Sequence, residues 1–161
     1  AQQSGAPRVA IVNDVLALLE HQLKNGRITV RKELAVHAPF VQGMEYKLQQ
    51  VLLNLFLNAV DAMPEGGTLT VEVAQLGNNG VEVRIRDTGG GIPGDRLQRI
   101  FDPFYTTKPA GQGSGLGLVV ARSIVLEHGG EIAASSDPGK GAVFTVSLPV
   151  ERPEPAAGDE A

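Results

Sequence analysis

The segment VLLNLFLNAVDAM, residues 51–63, has the apolar pattern of a buried helix but carries three polar side chains, Asn54, Asn58 and Asp61. Positions three and four apart lie on the same face of a helix, so these side chains form one narrow stripe. A buried amide without a partner costs about 1–3 kcal/mol, so the stripe needs a polar counterpart. Solvent is the ordinary counterpart, but short amides between two apolar flanks favour a lined cavity. Amide oxygens also suit Mg²⁺, which takes few protein ligands and binds phosphate.

The composition indicates a single compact domain. The chain has 161 residues and 42% hydrophobic content, enough for one core. Its net charge of −4 argues against a general binder of nucleic acid or of membrane surfaces. It has no cysteine, no apolar run long enough to cross a bilayer and no visible signal peptide. We therefore expect a cytoplasmic, monomeric domain without direct membrane contact, whether or not a parent protein is membrane-anchored.

The rest of the chain alternates between helical and strand patterns. We interpret residues 1–8 as a linker remnant, residues 9–150 as the domain and residues 151–161 as a disordered acidic tail. Predicted helices cover about residues 13–25, 44–63 and 116–128, and Asn13 is the predicted cap of the first helix. Predicted strands cover about residues 28–36, 68–76, 81–87, 131–136 and 142–149. This order predicts an α+β fold, a two-layer α/β sandwich in which a mixed sheet of about five strands carries about three helices on one face.

The segment RDTGGGIP, residues 86–93, begins where a predicted strand ends. An ionised Asp87 is an acceptor that can take a hydrogen bond from an exocyclic amine. Gly89 and Gly91 would let the backbone approach a flat ring or adopt a positive φ. A simple turn after a strand is the alternative interpretation, and for this short pattern alone it is the stronger one.

The segment GQGSGLGL, residues 111–118, lies directly before a predicted helix. Unhindered backbone amides next to a helix N-terminus favour a phosphate site, with a flexible hinge as the alternative. Two familiar phosphate motifs do not fit, because the chain has no GxxxxGK[ST] and no strand leads directly into GSGLG.

Four segments in this order resemble the motifs of one family. LQQVLLNLFLNAVDAM, DTGGGIP, IFDPFYTTK and GQGSGLGL resemble the N, G1, F and G2 boxes in the catalytic and ATP-binding domain of bacterial two-component sensor histidine kinases. The segment DPFYTTK further resembles the corresponding segment of the nitrogen-regulation subgroup. The resemblance covers about residues 9–150. It implies the Bergerat-type fold of the GHKL superfamily, which includes gyrase and Hsp90 ATPases, with ATP and Mg²⁺ as cofactors.

The resemblance assigns nucleotide and metal contacts residue by residue. Within the implied set Asn58 would coordinate Mg²⁺, with Asn54 in support, and Asp87 would accept the adenine amine. Lys108 would reach a phosphate. The full implied nucleotide-binding set is Asn54, Asn58, Asp61, Asp87, Gly89, Gly91, Ile92, Phe104, Lys108, Gly113, Ser114, Gly115, Leu116, Gly117, Leu118 and Thr145.

Two positions depart from the family pattern. Many members have Lys-Tyr where this chain has Asp61 and Ala62, so we expect Asp61 to hold a magnesium-bound water in place of the missing cation. Related ATPases often have Thr where this chain has Ala142, and Thr145 is then a weak substitute for that contact.

The resemblance implies a protein-histidine kinase domain that positions the γ-phosphoryl of Mg-ATP for transfer to a histidine. The family's phosphoacceptor lies in an H-E/D-rich segment, whereas His21 is followed by Gln-Leu, His37 by Ala-Pro and His128 by the helix-ending Gly-Gly. The acceptor is therefore expected on a separate dimerisation domain, a helical hairpin, with a response regulator as an indirect partner. The alternatives are a non-catalytic nucleotide-sensing module of the same fold and a gyrase/Hsp90-type ATPase domain.

Overall fold

The computed structural model describes residues 8–34, 45–77, 80–102, 117–136 and 139–149. Each predicted helix and strand has a counterpart close to its predicted place, because helical and strand periodicities are both pronounced in this sequence. The helices and strands, in chain order, are α1 (Arg8–Leu18), α2 (Glu20–Asn25), β1 (Ile28–Leu34), α3 (Glu45–Ala62), β2 (Gly67–Leu76), β3 (Gly80–Asp87), α4 (Gly94–Leu97), α5 (Gly117–Glu127), β4 (Glu131–Ser136) and β5 (Ala142–Pro149).

The described strands form one mixed sheet in the order β1-β2-β3-β5-β4. β1 and β2 run parallel, whereas β2–β3, β3–β5 and β5–β4 are antiparallel. A parallel pair cannot be closed by a tight turn, and α3 lies in the crossover between β1 and β2. The predicted hairpin of β2 and β3 is confirmed, and so is the α+β fold class with a mixed five-stranded sheet.

The core lies between one face of the sheet and the helices α1, α3 and α5. Along β5 burial alternates, with Phe144, Val146 and Leu148 inside. Leu52 and Phe56 of α3 are fully buried in the same cluster. Burying each such side chain contributes about 1.5–3 kcal/mol, so the sheet and α3 hold each other in place.

The first helix differs from its prediction at its beginning. α1 begins at Arg8 and not at Asn13. The Oδ1 of Asn13 accepts a 2.8 Å hydrogen bond from the Nζ of Lys32 on β1, so the amide has a partner on a strand and does not cap a helix. The helical run is interrupted at Leu19, whose side chain is buried, and continues as α2 to Asn25. The predicted end was right and the predicted start was wrong.

The predicted domain boundaries fall at the margins of the described residues. α1 begins at Arg8 and β5 ends at Pro149. Residues 1–7 and 150–161 lie outside the described residues, so the linker and the acidic tail stay predictions. None of the helices in the described ranges is long and apolar enough to cross a membrane.

Candidate functional site

The polar stripe of α3, formed by Asn54, Asn58 and Asp61, lies at the margin of the core. Asn54 and Asn58 are half-buried and Asp61 is exposed, whereas the neighbouring Leu55 has no exposed surface. The Nε2 of Gln50 donates to the Oδ1 of Asn54 over 3.4 Å, which joins amides on successive turns. The stripe thus runs from partly covered positions to an open one, as the lining of a cleft would.

α5 brings its first residue to the polar stripe. A Cβ built on Gly117 would lie 4.0 Å from the Cγ of Asn54, and Leu118 is half-buried beside it. At the other end of α5, the Oε1 of Glu127 forms a 3.7 Å ion pair with the Nζ of Lys47. α3 and α5 therefore run antiparallel. The first N–H groups of an α-helix have no partner within the helix, and this end carries a partial positive charge, so the start of α5 is suited to bind an anion beside the Asn54 amide.

Asp87 is a buried carboxyl at the end of β3, with 2% of its surface exposed. Its Oδ1 accepts a 2.8 Å hydrogen bond from the N–H of Gly89, and the N–H of Ala142 also donates to the carboxylate. Burial raises the pKa of Asp87 above its ordinary value, and these two hydrogen bonds oppose that shift. A carboxylate offers about four acceptor sites, so Asp87 keeps capacity for a further donor such as an exocyclic amine.

The loop that follows Asp87, residues 88–92 and here called the G1 loop, needs glycine for two different reasons. A Cβ on Gly89 would lie 2.1 Å from the carbonyl oxygen of Ala62, the last residue of α3. Without a side chain, the loop can reach the end of that helix. Gly91 has a φ of +83°, a left-handed conformation that glycine adopts without strain. The positive φ agrees with its prediction, whereas the approach to α3 is a tertiary contact that sequence reasoning missed.

Two hydroxyl groups that sequence reasoning also missed connect the G1 loop to neighbouring strands. The Oγ1 of Thr88 accepts a 3.0 Å hydrogen bond from the N–H of Thr68 at the start of β2. The Oγ of Ser136 accepts a 2.7 Å hydrogen bond from the N–H of the half-buried Ile92. A hydroxyl next to a glycine-rich turn, as in DTGGG and SSDPGKG, is the weak signal that the sequence offered.

The F-box segment is joined to the core through Phe101. Its ring packs edge-to-face on the buried Phe144, with centroids 6.4 Å apart and an interplanar angle of 87°. The neighbouring Ile100 is also buried. Several predicted contact residues lie outside the described residues, and their roles stay predictions: Phe104, Lys108, Gly113, Ser114, Gly115 and Leu116.

Thr145 lies on the other side of the sheet from Asp87. It pairs with the exposed Arg84 across β5 and β3, and side chains of successive strand residues point to opposite faces. Asp87 and Ala142 belong to the helix-covered face, where the N–H of Ala142 donates to the carboxylate. We therefore leave Thr145 out of the proposed site.

The ligand chemistry at the polar stripe fits Mg²⁺ better than a metal held by acidic or imidazole groups. Within the described ranges, no group of three or more His, Cys, Asp or Glu side chains could hold a metal ion. A metal here would depend on amide oxygens together with phosphate oxygens, which is a ligand set that Mg²⁺ accepts. The half-buried amides of Asn54 and Asn58 supply such oxygens.

The histidines of the described part have ordinary structural partners. On the exposed surface of α2, the side chains of Asn25 and His21 lie 3.0 Å apart, from Nδ2 to Nε2. The Nδ1 of His128 lies 2.9 Å from the carbonyl oxygen of Ile124, at the end of α5. His37 lies outside the described residues. Neither described histidine has the surroundings of a phosphoacceptor.

Comparison with known proteins agrees with this geometry. Residues 43–152 match the family described as histidine kinase-, DNA gyrase B-, and HSP90-like ATPase. The sensor histidine kinase ZraS of Salmonella typhi is 41% identical over 140 residues, which cover 87% of this chain and 30% of that protein. Sporulation kinase E of Bacillus subtilis (strain 168) is 37% identical over 142 residues, which cover 88% of this chain and 19% of that protein.

A solved structure shares both the fold and the extent of this chain. The nucleotide-free catalytic domain of the histidine kinase ThkA has a TM-score of 0.81 at 29% identity, and the match covers 92% of this chain and 96% of that chain. The fold and the site define an ATPase domain. The chain belongs to the histidine kinase-, DNA gyrase B- and HSP90-like ATPase family, as a domain of the sensor histidine kinase type. It spans about a fifth to a third of the length of these two curated relatives.

Proposed function

We propose that this chain binds Mg-ATP and holds the γ-phosphoryl group for transfer to a histidine of another domain. The observation that supports this most directly is that sequence-distant segments converge on one edge of α3. Gly117 lies beside Asn54, and Gly89 lies against Ala62. The helical rise separates Asn54 from Ala62 by about 12 Å, a length that suits an extended nucleoside triphosphate.

The two ends of this edge offer different chemistry. At one end, the buried Asp87 suits the exocyclic amine of adenine, with Gly91 and Ile92 along the ring. At the other end, beside Asn54, the N-terminus of α5 offers N–H groups and partial positive charge to phosphates. Asn58 lies between these ends on the polar stripe and would hold Mg²⁺. When bound, Mg²⁺ supplies charge neutralisation at the phosphate oxygens.

Phosphoryl transfer depends largely on positioning and charge neutralisation, so the chain needs no nucleophile of its own. We propose that the acceptor histidine lies on a dimerisation helical hairpin and that the phosphoryl group then passes to a response regulator in the cytoplasm. The histidine kinase ThkA has been solved in complex with the response regulator protein TrrA. That ThkA chain is 28% identical to this one with a TM-score of 0.78, and the match covers 92% of this chain and 42% of that chain. The wording DPFYTTK supports a finer proposal, membership of the nitrogen-regulation subgroup.

Calorimetric titration with ATP tests the binding part of this proposal. We expect saturable ATP binding that strengthens when Mg²⁺ is present, and much weaker binding of GTP. A chain that unfolds cooperatively on heating, and is therefore folded, yet binds no ATP in either condition would contradict the proposal. A chain that binds Mg-ATP but never supports transfer to a hairpin of the parent kinase would instead be a nucleotide-sensing module.

A further inference from the structure

We propose that Ser136 is a positioning residue for adenine recognition, because its hydroxyl fixes the far end of the G1 loop. Ser136 is half-buried and is the last residue of β4. The inference rests on the proposed ATP-binding function. Ser136 is assigned no contact with the nucleotide, and it acts through the loop backbone.

The Ser136 hydroxyl makes two hydrogen bonds of opposite direction. Its Oγ accepts from the N–H of Ile92 over 2.7 Å and donates to the carbonyl oxygen of Gly141 over 2.8 Å. One hydroxyl thus joins the end of the G1 loop to the residue just before β5. Gly141 is buried and Ile92 is half-buried, so removal of the hydroxyl leaves a donor and an acceptor poorly solvated and unpaired.

Two further hydrogen bonds connect residues close to Ser136 with the G1 loop and with Asp87, which precedes the loop. The N–H of Gly139 donates to the carbonyl oxygen of Gly90 over 2.8 Å, and the N–H of Ala142 donates to the Asp87 carboxylate. Gly139 therefore contacts the middle of the loop, and Ala142 contacts the residue just before its beginning. Asp87 fixes the near end and Ser136 the far end, so the position of the glycines between them depends on both.

The proposed division of the site predicts which part of the ligand Ser136 affects. The G1 loop faces the base, whereas the N-terminus of α5 and the polar stripe face the phosphates. A loop that loses its far anchor should lose affinity for the base and keep its affinity for phosphate. The neighbouring Ser135 offers a matched control, since it is exposed and lies on the opposite face of β4.

Three variants test the inference by calorimetry with two probes, Mg-ATP and magnesium tripolyphosphate. Ser136→Ala should weaken ATP binding by about fivefold to thirtyfold, because ATP must then order a loop that has lost its hydrogen-bond partner, and leave tripolyphosphate binding unchanged. Ser136→Thr keeps the hydroxyl and should restore ATP binding, whereas Ser135→Ala should match the wild type. If Ser136→Ala does not fold, Ser136→Cys takes its place, because it keeps the size and weakens both hydrogen bonds.

Amide hydrogen exchange at Ile92, followed by NMR without nucleotide, gives an independent readout. Exchange should be slow in the wild type, Ser136→Thr and Ser135→Ala, and fast in Ser136→Ala. Equal exchange in all four proteins would overturn the contact. Faster exchange with unchanged ATP affinity, or an equal loss of ATP and tripolyphosphate affinity, would overturn the positioning role. A wild-type chain that binds no ATP counts against the proposed function, and the Ile92 exchange still decides whether Ser136 holds the loop.

Discussion

Asp87 is a charged residue at a position where folding alone favours a neutral one. Burial raises its pKa above the ordinary value of 3.8, so the folded chain holds the proton more tightly than the unfolded chain does. The stabilising contribution is complete below that ordinary value and is lost as the pH rises through the higher pKa of the folded state. At neutral pH the carboxylate therefore costs stability, as is typical of a residue retained for binding.

The variant Asp87→Asn separates this stability cost from function. An amide is neutral at every pH, so the melting temperature of the variant should increase relative to that of the wild type as the pH rises from about 4 towards 7. ATP affinity should fall, and with it the preference for ATP over GTP, because the amide accepts more weakly than a carboxylate. Thermal unfolding across this pH range and competition titrations measure the two effects. An unchanged preference for ATP over GTP would show that Asp87 does not recognise the adenine base.

The variant Asn58→Ala tests the proposed magnesium ligand. The residue is half-buried at the margin of the core, so the fold should remain intact. Loss of an interaction with a charged group should weaken Mg-ATP binding by about 1.5–3 kcal/mol and leave metal-free ATP binding nearly unchanged. Asn25→Ala is the control, because Asn25 is an exposed amide on α2. Equal Mg-ATP affinity in all three proteins would remove Asn58 from the metal site.

At the scale of helices and strands, the sequence was most informative where a pattern is local. The periodicity of α3 and of the β2–β3 hairpin depends on neighbouring residues, and both were predicted correctly. The cap assigned to Asn13 was wrong because α1 already begins at Arg8, so Asn13 lies inside the helix and its amide contacts Lys32 on a distant strand. The role of Gly89 was incomplete because its contact with Ala62 also joins segments far apart in the sequence.

The contact between the G1 loop and the end of α3 can be tested with neighbouring glycines. Gly89→Ala places a Cβ 2.1 Å from the carbonyl oxygen of Ala62, so either the loop or the helix end must shift. Such overpacking should cost about 1–3 kcal/mol of stability and displace the Asp87 carboxylate through its bond to Gly89. A Cβ on Gly90 meets no atom within 4 Å, so Gly90→Ala should change little. Chemical denaturation measures the stability of both variants, and ATP titration measures their affinity. Equal losses in Gly89→Ala and Gly90→Ala would contradict the proposed contact.

At the scale of the whole molecule, the two faces of the sheet contribute differently to stability and to the candidate site. On the open face Arg84 lies 3.9 Å from Glu72 and 3.2 Å from Glu82. Ion pairs on a solvent-accessible surface contribute at most about 1 kcal/mol each, so the core on the other face supplies most of the stability. The candidate site belongs to the helix-covered side, where the end of β3, the edge of α3 and the start of α5 meet. This convergence is a property of the topology, which is why the motifs propose candidate residues but not the contacts between them.

The last prediction concerns catalysis by this chain alone. We expect the chain to bind ATP and to show almost no self-phosphorylation, because His21 is paired with Asn25 and His128 with the Ile124 carbonyl group at the end of α5. Addition of the helical hairpin of the parent kinase should restore a phosphorylation that is labile to acid and stable to base, located on the hairpin. The rate should be low, since a tether normally supplies millimolar effective concentrations and correct orientation contributes further.

Mass spectrometry at neutral pH locates the phosphoryl group in that experiment. The control is the Asn58→Ala chain mixed with the same hairpin, which should transfer far less because Mg-ATP is bound poorly. Phosphorylation of the hairpin at the same rate by both chains would indicate a contaminating kinase. Stoichiometric phosphorylation of His21 in the isolated chain would show that the chain carries its own acceptor, and the proposal of an acceptor on a separate domain would then be wrong.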